Sequence, residues 1–285
     1  MDQRIINLYD DYTHGGMNRR TFLDRLAALV GSAAGATALL PILQNNYAHA
    51  QTIPESDPRV VAETVDIPDA QGLKGYLVRP ANASGKLPAV IVIHENRGLN
   101  PHIKDVTRRM AAEGFLALGV DYLSPMGGTP TDEDKGREMI GQLKQPDVIA
   151  NGRAAVAYLK GHPNGNGKVG AIGFCWGGGA VNNLAVNEPD LSAGVAYYGG
   201  QPKAEDVPKI RAAIMLHYAG LDERINAGIE AYENALKQAG KTYEIHMYEG
   251  ANHAFNNDTN AARYDKEAAD LAWSRTVGFL KKHLA

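Results

Sequence analysis

From residue 60 onward, apolar positions fall into short runs separated by longer stretches with helical spacing. Val60–Ile67 and Leu73–Arg79 alternate apolar with polar positions and predict two half-exposed strands. "AVIVIH" (Ala89–His94) shows no alternation, and a continuous β-branched run of this length predicts a strand buried on both faces. A helix near Ile103–Glu113 leads to a strand at Phe115–Asp121. The pattern then repeats: helix Val148–Lys160, strand Lys168–Phe174, helix Gly177–Asn187, strand Ala193–Tyr198. Strand Ala212–Tyr218, helix Ile225–Ala239, strand Thr242–Tyr248 and a final helix over Ala261–His283 complete it. Strands and helices alternating at these lengths predict an α/β domain with a mainly parallel sheet. The polar insertion Ser124–Pro146 interrupts the rhythm, predicts a short helix, and is placed to cover a site.

The first fifty residues follow a different pattern. "NRRTFL" (Asn18–Leu23) sets paired arginines, Arg19 and Arg20, before a mild apolar run, Leu26–Leu43. "AHAQ" (Ala48–Gln51) then offers the small residues of a signal-peptidase site. This order resembles a bacterial twin-arginine export signal spanning 1–50, cleaved after Ala50. On that reading the export machinery is a partner of the precursor and the mature chain is periplasmic or secreted; without it the chain is cytoplasmic. An ordinary amphipathic first helix is the alternative. Pro41 and the many small residues argue against a permanent membrane anchor. The sixteen residues before Met17, "MDQRIINLYDDYTHGG", exceed an ordinary charged n-region and have no role in this reading. Gln51–Arg59 reads as a linker, and residues 60–285 as one domain.

Composition narrows the functional classes. Net charge is −3, which gives no sign of nucleic-acid binding. A single cysteine, Cys175, excludes an internal disulfide and a Cys-rich zinc site. "HENRG" (His94–Gly98) starts like a helical zinc motif but ends in Gly and follows a strand; "HPNGNGKV" lacks the first glycine and the Ser/Thr of a phosphate loop. No Gly-x-Gly-x-x-Gly follows the first strand. Neither metal nor cofactor is expected.

The lone thiol sits in "GFCWG", between the strand Lys168–Phe174 and the next helix. Gly-x-nucleophile-x-Gly at a strand-to-helix junction is the form of a nucleophile elbow, where glycines at 173 and 177 relieve the crowding of a sharp turn. The helix N-terminus favours thiolate over thiol. A thiol nucleophile needs a base, and the base an orienting acid. "AGLDER" places Asp222 after one strand and "EGANHAF" places His253 after the last, in the order that this architecture uses. Glu223 is the rival acid. His217 and His246 lie within strands, His162 in a turn and His283 near the C-terminus, so each suits the base less well. The backbone N–H groups of Asn96 and Trp176 are the candidate oxyanion donors. Glu95 in "HENRG" would oppose a nearby thiolate, or hydrogen-bond the neutral thiol, unless it pairs with Arg97. Tyr122 is a candidate pocket residue, with core packing as the alternative.

At "GFCWGGG", "HENRGL", "YAGLDERI" and "GANHAFNN" the chain resembles the dienelactone hydrolase family, a branch of the α/β hydrolases. The resemblance covers 60–285. It implies the α/β-hydrolase fold, with helices on both faces of a mainly parallel sheet. It also implies a Cys175–Asp222–His253 triad, with Glu95 holding the resting thiol until substrate displaces it. The implied reaction is metal-free hydrolysis of a small-molecule lactone or ester through a thioacyl intermediate. Two arginines by which dienelactone-cleaving members grip a substrate carboxylate are absent, with Ser124 and Asn257 in their places. Arg97 is the remaining candidate for that contact. A silent binding protein would have no use for an intact triad, and a redox protein would want a resolving cysteine. An acyl transferase or peptidase on the same fold stays open.

Overall fold

The computed structural model describes residues 1–285. The first fifty residues fold into three helices: α1 (Gln3–Thr13), α2 (Arg19–Val30) and α3 (Ala33–Leu43). Each starts at a side-chain cap: Asp2 accepts from the backbone N–H of Arg4, Asn18 from Thr21 and Ser32 from Gly35. The apolar run is not one rod. Gly31 adopts φ 81°, which glycine does without cost, and α2 and the segment after it meet at 111°. Ile5, Leu8, Tyr9, Tyr12, Phe22, Leu26, Ala36 and Leu43 form a small core of their own. Tyr12 stacks on Phe22 with ring centroids 4.6 Å apart. No single helix is long and apolar enough to cross a membrane.

The rest of the chain builds one eight-stranded sheet from β1 (Val60–Asp66), β2 (Lys74–Pro80), β3 (Leu87–Ile93), β4 (Leu116–Asp121), β5 (Gly165–Phe174), β6 (Leu191–Tyr197), β7 (Ala213–Ala219) and β8 (Tyr243–Tyr248). Strand order is β1-β2-β4-β3-β5-β6-β7-β8. β2 pairs antiparallel with β1 and β4, and every other pairing is parallel. The continuous apolar run in β3 has its physical reason here. Val90 and Val92 pack under α4 (Pro101–Ala112) and α10 (Lys266–Leu284), while Ala89, Ile91 and Ile93 pack under α6 (Gln145–Gly161) and α7 (Trp176–Asn187). A strand covered on both faces has no use for polar alternation. Parallel strands also carry the loops after β3, β5, β7 and β8 to one edge of the sheet, where such folds place ligands.

Two helices differ from their sequence expectation. The helix expected over Ile225–Ala239 is broken into α8 (Glu223–Asn226) and α9 (Ile229–Gln238), and at Gly228 between them the side chain of Gln201 fills the space a Cβ would need. The last helix begins at Lys266, capped by Asp265, rather than at Ala261. Residues 249–265 stay in a loop, in which Asn257 Oδ1 accepts from both the N–H and the hydroxyl of Thr259. The insertion carries α5 (Glu133–Gln142), the short helix expected there. The linker is tied down: Asp105 accepts from Ile53 N–H at 2.8 Å and Arg108 donates to the Ile53 carbonyl.

Candidate active site

Cys175 joins β5 to α7 at φ 55°, ψ −115°, a conformation that L-residues avoid and that nucleophile elbows impose. The crowding is real on both sides. A Cβ at Gly173 would strike the carbonyl of Gly177, and one at Gly177 would strike those of Ile93 and His94. Cys175 N–H donates to the Tyr197 carbonyl at 3.0 Å, fixing the turn to the neighbouring strand.

Asp222 and His253 meet as the strand ends require. His253 Nδ1 lies 2.5 Å from Asp222 Oδ2, with both residues buried. The other carboxylate oxygen, Oδ1, accepts from Ile225 N–H at the start of α8, so Asp222 is held at both oxygens. Glu223 is exposed and takes no part. His217 is a fully buried structural residue bonded to Tyr248 and Thr276.

The resting thiol has a partner that the sequence did not suggest. His14, immediately after α1, places Nε2 3.2 Å from Cys175 Sγ and Nδ1 2.8 Å from the Asp10 carbonyl. A carbonyl only accepts, so Nδ1 carries a proton. His253 stands edge-on to His14, ring centroids 4.7 Å apart. Cys175 Sγ and one ring nitrogen of each imidazole lie within 4.8 Å of one another. His253 Nε2 is buried without a hydrogen-bond partner. Charge follows from this packing. Burial pushes the Cys175 thiol up, yet the two imidazoles outweigh it and bring it down to about 5. Burial likewise opposes charge on His253, but the thiolate, Asp10 and Asp222 raise it to about 10. His14 is raised against burial by Cys175 and Asp10.

Other expected residues are placed differently. Glu95 does not bond the thiol. It is buried, accepts from Asn257 Nδ2 at 3.2 Å, and faces Arg97 Nη1 at 3.7 Å. A buried carboxylate pairs with the nearest cation, and Arg97 is two residues away. Arg97 therefore serves this pair and Glu133, 3.0 Å from its Nε, and is absent from the cavity wall. Tyr122 is core: it is 1% exposed, packed edge-on against Trp176 and His94. Asn96 and Trp176 do line the cavity. Trp176 N–H, first in its helix, has no intrahelical acceptor, and Asn96 N–H makes no bond within the protein.

The cavity over Cys175 has a volume of about 930 Å³. Its walls are unexpected. Tyr12, His14, Met17 and Arg19 come from the first fifty residues, and Arg137 and Ile140 from the insertion. Arg19 and Arg137 are both paired with Asp134. Tyr198, at φ 38°, adds a buried hydroxyl without a partner.

Comparison with known proteins bears on this constellation. The family model described as "Dienelactone hydrolase family" matches residues 73–284. The chain belongs to the dienelactone hydrolase family. A relative named "Putative carboxymethylenebutenolidase" from Saccharolobus solfataricus is 32% identical over 252 residues, covering 75% of this chain and 95% of its own. One with the same name from Methylorubrum extorquens is 30% identical over 283 residues, covering 93% of this chain and 94% of its own; the match thus includes part of the first fifty residues. The crystal structure of a putative dienelactone hydrolase from Klebsiella pneumoniae superposes with TM-score 0.70 at 30% identity, covering 78% of this chain and 98% of its own. A second family model, "YqhI-like", matches residues 1–31. The protein is thus a hydrolase of the dienelactone hydrolase type, and the segment of helices α1 to α3 contributes to the cavity over Cys175.

Proposed function

We propose that this dienelactone hydrolase family member cleaves a lactone or carboxylic ester through Cys175, with His253 as proton carrier and Asp222 as its orienting acid. The observation that carries this reading is the strained cysteine at the elbow beside a buried, 2.5 Å His253–Asp222 pair. Cys175 Sγ attacks the acyl carbon. The N–H groups of Trp176 and Asn96 stabilise the developing oxyanion, a contribution of about 3 kcal/mol per donor in comparable sites. His253 gives its Nε2 proton to the leaving oxygen. Water then attacks the thioacyl carbon, returns a proton to His253 and releases thiolate.

The cavity favours an uncharged substrate. Ser124 and Asn257 stand where the family's carboxylate-gripping arginines would be, and both are engaged: Ser124 donates to the Asp121 carbonyl, Asn257 to Glu95. Of the three arginines in the cavity wall, Arg19 and Arg137 share Asp134, and Arg224 faces Asp10 at 3.8 Å. A substrate carboxylate would have to break those pairs to gain bidentate partners. Purified protein is expected to turn over p-nitrophenyl esters and neutral lactones, and Cys175→Ala to lose turnover. His253→Ala should slow acylation by several orders of magnitude with the fold intact. Retained turnover in Cys175→Ala would overturn the proposal.

A further inference from the structure

Two acid–imidazole pairs, from opposite ends of the chain, converge on one sulfur. The first is Asp222–His253. The second is Asp10–His14, in which Asp10 offers its carbonyl at 2.8 Å and its carboxylate at 3.3 Å to His14 Nδ1. The second pair is hydrogen-bonded to Cys175 Sγ at 3.2 Å, and a ring nitrogen of His253 also lies within 4.8 Å of that sulfur. The buried Nε2 of His253 makes no geometrically defined hydrogen bond, and the residue lines a cavity large enough for substrate.

The helices that bring His14 are not loosely draped. Asn96 Nδ2, at the β3 loop, donates to the Thr13 carbonyl at 2.7 Å. Gln3 reaches Asn252, next to His253, at 2.5 Å. Arg263 meets Asp10 at 3.3 Å and its guanidinium lies 5.2 Å from the Tyr9 ring centre. Tyr12 donates to Asp134 of the insertion at 2.7 Å. Asn46 N–H donates to the Thr259 carbonyl at 2.7 Å, and Asn260 to the Leu43 carbonyl at 2.7 Å. The segment is therefore bonded to the β3 loop, the insertion and the loop of the catalytic histidine.

We infer that α1 to α3 are a permanent cap of the enzyme and that His14 is a catalytic residue, the stationary cation that holds Cys175 as thiolate while His253 alone moves protons. The inference rests on Cys175 being the nucleophile. In the acylation step the S–C bond forms, the C–O bond to the leaving group breaks, and the His253 Nε2 proton passes to the leaving oxygen. In deacylation the water C–O bond forms, its proton passes to His253 and the C–S bond breaks. The thiolate that departs is received by the same His14 imidazolium, which exchanges no proton in either step. Two imidazoles let the two jobs be divided. Between giving its proton to the leaving oxygen and regaining one from water, His253 is neutral, and His14 is then the imidazolium that stays beside the sulfur. Charge around His14 fits the role: Cys175 and His253 face it from the sheet edge and Asp10 from its own helix, with Arg263 and Arg224 behind Asp10.

The test is the pH profile of iodoacetamide alkylation and of ester turnover in the full-length chain, its His14→Gln and its His253→Gln variants. In the unmodified chain, alkylation should be fast at mildly acid pH. His14→Gln should slow alkylation there by about tenfold or more, because each pH unit added to the thiol's midpoint removes about tenfold of thiolate below it. Turnover should fall with it. His253→Gln should keep rapid alkylation yet lose turnover. Should His14→Gln fail to fold, the His253→Gln profile still decides, since thiolate that disappears with His253 is not held by His14. An unchanged alkylation profile in His14→Gln, or faster turnover as from a removed lid, overturns the inference. If Cys175→Ala keeps turnover, the nucleophile assignment itself has failed, a result separable from either of these.

Discussion

The side-chain amide of Asn96 donates to the carbonyl of Thr13 at 2.7 Å, while its backbone N–H makes no bond within the protein. One residue therefore latches the N-terminal cap and offers a candidate oxyanion donor. The two roles separate by mutation. Asn96→Ala keeps the backbone N–H but leaves the Thr13 carbonyl at the end of α1 unpaired, at a cost of about 1 kcal/mol. It is expected to lower the melting temperature slightly and kcat/KM by less than about tenfold, well short of the hundredfold or more that follows loss of a donor. A hundredfold loss would show that the side chain itself serves the oxyanion.

The thiol near 5 and His253 near 10 predict an active window between them. Because the thiol is lowered on folding, thiolate contributes stability above its ordinary value of 9.0, and that contribution is lost as pH falls through about 5. His253 is raised, so its contribution is full below its ordinary value of 6.5 and lost as pH rises through about 10. The acid limb of kcat/KM should fall near 5. A limb near 9, the position of an ordinary thiol, would contradict the thiolate–imidazolium assignment.

Glu95 tests the corrected geometry. With its bonds to Asn257 and Arg97, Glu95→Gln should cost stability, about 3 kcal/mol if Arg97 is left half-neutralised in the core. The rate of thiol alkylation should not change. If alkylation instead accelerates with stability intact, the carboxylate restrains the sulfur after all.

The elbow and its two partners were legible because each is marked locally. Glycines at 173 and 177 flank the cysteine, and parallel strands force Asp222 and His253 to one edge. His14 was not legible, since its contact with Cys175 spans 161 residues and no local pattern encodes it. Leu26–Leu43 is ambiguous for a related reason: a short helical hairpin with its own core has the same small, apolar composition as a leader. The overlong stretch before Met17 was the available hint, with Asp2 capping a helix that ends on an Asp10–His14 pair one turn apart. Glu95, Arg97 and Tyr122 show the other limit. Sequence places each at the right edge of the sheet, but whether a loop side chain turns toward the cavity or the core depends on neighbours such as Glu133 and Trp176.

Arg19, Arg20 and Ala48–Ala50 carry the export reading, whereas the inferred cap requires the same segment in the folded enzyme. In the cap, Arg19 pairs with Asp134 at 3.0 Å, and Ala50 is 4% exposed at the end of a 3-10 turn. Folded this way, the bond after Ala50 is poorly presented to a peptidase. The intact mass of active protein recovered from its native cells should include residues 1–50. An active species beginning at Gln51 would show instead that the segment is a leader and that catalysis proceeds without His14.

The most direct measurement is peptide mass mapping of protein quenched in acid during turnover of a slowly hydrolysed activated ester. The acyl group should be found on Cys175, in a peptide containing "GFCWGGG", and should be missing from Cys175→Ala. An acyl group on any other residue, or steady turnover with none on Cys175, would contradict the account.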